Sequence, residues 1–125
     1  MSKLTDFLAG NVVDNLTAEV AVSKRIPGKF KIKVLGNQER EELSQRATIK
    51  GVYSATKFAK LVILNCVLEP ALNDATLMEK VGANTPEDVI EKCLLAGEQE
   101  ELFKEIVKLS GFDKNINESI ETAKN

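Results

Sequence analysis

Apolar and polar positions alternate over residues 17–23, where Ala18, Val20 and Val22 share one side, and again over 30–35, where Phe30, Ile32 and Val34 do. Side chains that alternate in this way belong to half-buried strands. Between the two runs, Ile26-Pro27-Gly28-Lys29 places Pro where a fixed φ is needed and Gly where a positive one is, as in a type II turn. A β-hairpin over about 17–35 is therefore expected, with a loop lengthened by Ser23, Lys24 and Arg25.

From Ser54 the period becomes helical. Ala59, Val62, Ile63 and Cys66 fill one side of a helix over 54–68, and Leu61, Leu64 and Leu68 form a second stripe on the other. A helix apolar on both sides is expected at the centre of the fold, with Ser54 as its N-cap and Pro70 beyond its end. The β-branched Val62, Ile63 and Val67 leave a buried strand as the competing reading of the same run. The apolar run is about half the roughly 18 residues of a membrane span, so no bilayer segment is expected.

Shorter helices are expected on either side. A polar one over 38–47 starts at Asn37 as cap, supported by a Glu42–Arg46 pair, with Leu43 as its only large apolar residue. Asp74 caps another over 75–81, closed by Gly82. Thr85-Pro86-Glu87-Asp88 opens a third over 86–95, ended by Gly97. A fourth over 98–109 carries Leu102, Phe103, Ile106, Val107 and Leu109 as a broad stripe. At the start of the chain, Leu4, Phe7 and Leu8 share a face of one or two helical turns expected to dock as a short lid. Residues 48–53 read as a loop in which Gly51 weakens a third strand. The fold class is thus α+β: an N-terminal β-hairpin packed on a mostly α-helical C-terminal part. One domain is expected over 1–113, followed by a polar tail, 114–125, anchored only by Ile116 and Ile120.

Composition narrows the chemistry. With 125 residues, 29% charged and 43% apolar, the chain matches one folded domain with an aliphatic core, since it has no Trp and one Tyr. The start of the chain lacks the continuous apolar stretch of a signal peptide. No His is present, so the commonest general base and metal ligand is missing. Cys66 and Cys93 fall on apolar helix faces without a CxxC pair, and read as buried thiols suited to a reducing compartment. Glu39, Glu41, Glu42, Glu98, Glu100 and Glu101 fall in first turns of expected helices, where acids complement the helix dipole, and read as solvated. No glycine pattern of a phosphate loop occurs. These readings point away from an enzyme and call for no cofactor or metal.

Charge is unevenly spread. Residues 1–60 carry eleven Lys/Arg against six Asp/Glu, and 61–125 carry six against thirteen. Such asymmetry can orient a protomer against a copy of itself or a charged partner, or mark solvated faces. The outward side of the hairpin carries Lys29, Lys31 and Lys33, with Lys24 and Arg25 near the tip. A basic ribbon can follow phosphates, but it can equally guard an edge strand. The absence of interleaved aromatics and the net charge of −2 favour the second reading, with no nucleic acid as partner.

The order and spacing of one set of residues carry a family resemblance. Asn65-Cys66-Val67, Glu69-Pro70, Leu72, Asn73-Asp74-Ala75, Leu77, Gly82, Pro86-Glu87-Asp88-Val89, Leu94-Leu95, Gly97-Glu98, Leu102, Ile106 and Gly111-Phe112, preceded by Phe7-Leu8 and Val22-Ser23-Lys24-Arg25, resemble the XkdN-like phage tail assembly chaperones. Gln99 stands where that family usually has an aromatic, and Cys93 where it usually has Met. The resemblance implies a non-enzymatic protein of the host bacterium's cytoplasm that binds the tape measure protein and keeps it soluble until tail tube subunits assemble around it. The tail tube protein and a second copy of the chain are further partners it allows. The alternative role is a structural piece kept in the finished tail. Because a tape measure exposes long apolar helical faces, the stripe Leu102, Phe103, Ile106 and Val107 is the expected partner-binding surface, with Phe103 and Val107 nearest its edge.

Overall fold

The computed structural model describes residues 2–12 and 16–111; the polar tail and Phe112 lie outside that range. Strand β1, Thr17–Val20, pairs antiparallel with β2, Phe30–Lys33, in the register Thr17↔Lys33 through Val20↔Phe30. The hairpin forms as the alternation requires, with Phe30 and Ile32 buried. Its strands are shorter and its loop longer than expected. Pairing stops at Val20 because Ser23 and Arg25 turn aside to the carboxylate of Glu98, far along the chain.

The middle of the chain supplies helix α2, Asn37–Arg46, then β3, Thr48–Ile49, and β4, Val52–Tyr53, then α3, Ala55–Cys66. Helix α2 starts one residue earlier than expected: Gly36, not Asn37, is its N-cap, and the Glu39 carboxylate takes the free Gly36 N–H at 3.1 Å. The Glu42–Arg46 pair is not formed; Gln38 Nε2 approaches Glu42 instead, at 3.5 Å. Residues 48–53, read as a loop, pair as a small hairpin (Thr48↔Tyr53, Ile49↔Val52). Lys50 and Gly51 both take positive φ, 52° and 79°. That conformation at both central residues is the one that matches strand twist in a two-residue turn, and Gly51 makes it accessible.

Helix α3 is helical where the sequence left strand as a competitor. Ser54 Oγ accepts the Lys57 N–H at 3.2 Å, and Leu61, Val62, Ile63 and Cys66 are buried. It packs against α2, against α5 (Pro86–Cys93) and against α6 (Ala96–Leu109). Each aliphatic side chain so buried contributes about 1.5–3 kcal/mol relative to exposure. The helix ends at Cys66 rather than 68. Val67–Glu69 forms β5, which pairs with the open side of β2 (Ile32↔Val67, Lys31↔Glu69) and makes a sheet of order β1-β2-β5. The β-branched Val67 fits a pleated, half-covered position, and pairing satisfies β2 backbone groups that a longer helix would leave unmatched.

The remaining helices start as their caps predict. In α4, Ala75–Val81, Asp74 accepts the Thr76 N–H at 2.9 Å and Gly82 closes the end at φ 72°. Thr85 Oγ1 accepts the Asp88 N–H at 3.1 Å, with Pro86 in the first turn of α5. The α5–α6 boundary differs from expectation: α5 ends at Cys93, and Gly97 lies inside the first turn of α6 instead of closing α5. Ser110 Oγ, accepting the Leu35 N–H at 2.7 Å, ties the end of α6 to the segment after β2.

Helix α1, Lys3–Gly10, is the largest departure. It is capped by Ser2, whose Oγ accepts the Thr5 N–H at 3.1 Å, but none of its residues is buried. The expected lid does not close on the fold. Local caps suffice to shape this short helix, whereas docking needs a long-range neighbour, and Leu4, Phe7 and Leu8 stay exposed.

Candidate partner-binding surface

The α6 stripe divides into two layers. Leu102 and Ile106 are fully buried in the core, while Phe103 and Val107 are partly exposed. Leu102 and Ile106, expected on the partner-binding stripe, thus lie beneath the surface, among the helices and strands that α6 covers. Phe103 meets Phe58 of α3 edge to face, ring centres 6.2 Å apart at 78°. Phe58 in turn meets Tyr53 of β4 at 6.1 Å and 47°. Tilted and edge-on rings at these separations attract beyond simple area burial.

This row of rings runs from the core outward to Tyr53, which is 49% exposed; Ile49 and Val52 are exposed on the other face of the β3–β4 hairpin. A cavity of about 430 Å³ opens next to it, lined by Arg40, Glu41, Ser44, Gln45, Tyr53 and Phe58. The surface thus has an apolar aromatic floor and a charged and polar rim from α2. Such a profile suits an apolar or amphipathic segment more than a small polar substrate. Sequence reading picked out Phe103 and Val107 but missed Tyr53 and Phe58. The available signal was Lys50-Gly51 between two β-formers, too weak to separate a tight turn from a loop.

The basic residues of the first hairpin are not gathered into a free cationic face. Strand β2 is the middle strand, so its lysines do not guard an edge as expected. Lys31 stands in register with Glu19 of β1 and Glu69 of β5. Lys33 Nζ donates to both oxygens of Glu39, at 3.0 and 2.8 Å, while Lys24 and Lys29, in the loop, are exposed. Burial pushes the Glu39 carboxyl up, but hydrogen bonds from Lys33, from Asn65 and from the Gly36 N–H outweigh it and leave it below the usual range.

Arg25 at the loop reaches α6. Its Nε donates to Glu98 at 3.0 Å, a second nitrogen pairs with the other carboxylate oxygen, and Nη2 also donates to the Cys93 carbonyl at 3.0 Å. Ser23 Oγ and the Leu95 N–H, the latter at 2.8 Å, complete the shell. Glu98, expected to be solvated, is 4% exposed. The Arg25 hydrogen bonds, then that of Ser23, hold its carboxyl down to about 2. This clamp places the α5–α6 break at Leu94-Leu95 and joins two parts of the sequence resemblance, Ser23–Arg25 and Gly97-Glu98.

Both cysteines are free thiols, Cys66 buried and Cys93 half-buried. Burial pushes Cys66 up to about 11, which leaves it protonated and unreactive at neutral pH. Among the described residues, no cluster of His, Cys, Asp or Glu could hold a metal ion, and no helix is long and apolar enough to cross a membrane.

A family model described as "Phage XkdN-like tail assembly chaperone protein, TAC" matches residues 4–124. The chain belongs to the XkdN-like phage tail assembly chaperone family. This is not an enzyme class, and the assignment agrees with the residues that carried the resemblance. No curated protein matches the chain. Among solved structures, the crystal structure of the protein YqbN is similar, with a TM-score of 0.72 and 22% identity over 90% of this chain and 99% of that one. At that identity the likeness concerns the fold, which the two chains share.

Proposed function

We propose that the chain holds the tape measure protein in the host cytoplasm during tail assembly, shielding its apolar helical faces without any covalent chemistry. The observation that supports this reading best is the row Tyr53–Phe58–Phe103, rooted in the core at one end and open at the other, with Val107 on the same helix as Phe103. Rigid aromatic side chains on a packed base lose little freedom on binding, and they carry a large share of the energy at protein interfaces. The polar rim from α2 leaves the unbound surface compatible with water. The charge compensation of Lys31 and Lys33 argues against nucleic acid as partner.

The test is co-expression with a tape measure protein of the same tail cluster, followed by size-exclusion chromatography. The wild-type chain is expected to keep the tape measure soluble and to co-elute with it. The Tyr53→Ser variant should stay folded, losing only about 0.5–1.5 kcal/mol from the Tyr53–Phe58 pair, and capture less. A tape measure that aggregates equally with and without the wild-type chain would refute the reading.

A further inference from the structure

We infer that the cleft at the C-terminal end of α6 is the docking site of the chain's own C-terminal segment, with Phe112 and Ile116 as the anchors. The inference is independent of the proposed function. The cleft encloses about 430 Å³ and is lined by Leu16, Val34, Leu35 and Leu109, by Gly111 after the end of α6 and by the start of α2. Val34 and Leu35 are buried, whereas Leu16 is 46% exposed and leaves an apolar wall open. None of Tyr53, Phe58 and Phe103 lines it, so it is a site apart from the aromatic row.

The cleft is built around the point where the chain leaves the described fold. Ser110 Oγ accepts the Leu35 N–H and donates to the Ile106 carbonyl, each at 2.7 Å, which pins the end of α6 to the segment lining the cleft. Leu16 is held on another side, its carbonyl accepting the Val34 N–H at 3.3 Å. Gly111 then takes φ 92°, the left-handed conformation that turns a chain off a helix axis. The Gly111 N–H donates to the Lys108 carbonyl at 3.1 Å, so this turn is fixed at the cleft wall.

The choice of occupant follows from where the chain goes next. Phe112 is the first residue past the wall, and Ile116 and Ile120 follow at four-residue steps in an otherwise polar stretch. Residues four apart can share one face of a helix, so the spacing supplies a single apolar stripe beginning at the cleft. Nine described residues line the cleft, whereas a standard interface between separate proteins takes roughly 20–30 on each side. An attached segment needs less area, because it does not lose the translational freedom of a separate molecule. Its effective concentration on so short a tether is roughly millimolar, which favours it over a second copy at ordinary concentrations. Helix α1 also carries an apolar stripe, but Leu4, Phe7 and Leu8 stand exposed and none of them lines the cleft.

The experiment is NMR spectroscopy of the isotope-labelled full chain, wild type and F112S/I116S, with thermal melts of both. Nuclear Overhauser contacts from the Phe112 ring to methyl groups of Leu16, Val34 and Leu109 are expected in wild type, unchanged on dilution. The variant should shift those methyl signals and melt several degrees lower, because apolar groups past the end of a domain stabilise it only by packing on it. A Phe112 ring without contacts to these methyls, or a variant with the same methyl shifts and melting point, would overturn the inference and leave the proposed function standing. Contacts found only between labelled and unlabelled chains would make a second copy the occupant. Contacts from Leu4, Phe7 or Leu8 would put α1 there instead, and methyl shifts arising only on addition of the tape measure protein would give the cleft to that partner. Each of these three results overturns the inference.

Discussion

Leu4, Phe7 and Leu8 in α1 have the same i, i+3, i+4 spacing as Phe103, Ile106 and Val107 in α6, yet all three of the first set are exposed while Ile106 is fully buried and its neighbours partly so. The difference lies in what the rest of the chain brings to each helix. Helix α6 lies against α3, β1 and β2, and its first turn is fixed by the Glu98 clamp to Ser23 and Arg25. Among the described residues, helix α1 is held by caps from Ser2 and Asn11 and buries none of its own side chains. Periodicity thus identifies an apolar face, but the neighbour that covers it comes from elsewhere, and for α6 it is the rest of the chain.

Substitution at matched positions should separate the two helices most strongly. Leu102→Ala or Ile106→Ala should each cost about 2–5 kcal/mol of stability, the range for large-to-small changes in a packed core. Leu4→Ala and Leu8→Ala should stay within about 0.5 kcal/mol. Urea denaturation of the four variants makes the comparison directly, and equal losses would erase it.

The clamp sets the next effect. The Glu98 carboxyl is held down from 4.5 to about 2, so its contribution to folding is complete above about pH 4.5 and is lost as pH falls toward 2. Thermal melts of wild type across that window should fall more steeply than those of Glu98→Gln, which should also be less stable at neutral pH. Parallel curves would show that the clamp does not hold α6 in place.

Phe58→Ala removes both ring contacts of the aromatic row. The two aromatic pairs alone account for about 1–3 kcal/mol, at about 0.5–1.5 each beyond area, and the change should reduce tape measure capture more than it reduces stability. The smallest effect is expected from Lys29→Glu, at the one open lysine of the β2 segment: no change in stability beyond about 0.5 kcal/mol, and no change in retention on DNA. Salt-sensitive DNA retention abolished by this change would revive the nucleic-acid reading.

What the sequence made legible was local. Ser54, Asp74, Thr85-Pro86 and Gly82 mark helix ends through contacts within a few residues, and the structure has each of them in that role. The inward side of the second hairpin strand, Phe30 and Ile32, also follows from pattern. What escaped required partners distant in sequence. Val67–Glu69 looks like the last turn of a helix until β2 offers it an edge to pair with. Glu98 looks like an ordinary first-turn acid until Arg25, 73 residues away, closes on it. The outer part of the candidate surface escaped for the same reason, since Tyr53 and Phe58 join Phe103 only when three elements meet. Leu102 and Ile106 were placed on the right helix but on its inner side.

Hydrogen–deuterium exchange on the complex with the tape measure protein tests most directly whether the aromatic row holds the partner. Added protection is expected at residues 53–58, with the already protected core of α6 unchanged. Protection confined to the first hairpin around Lys29–Lys33, or none anywhere, would contradict that expectation.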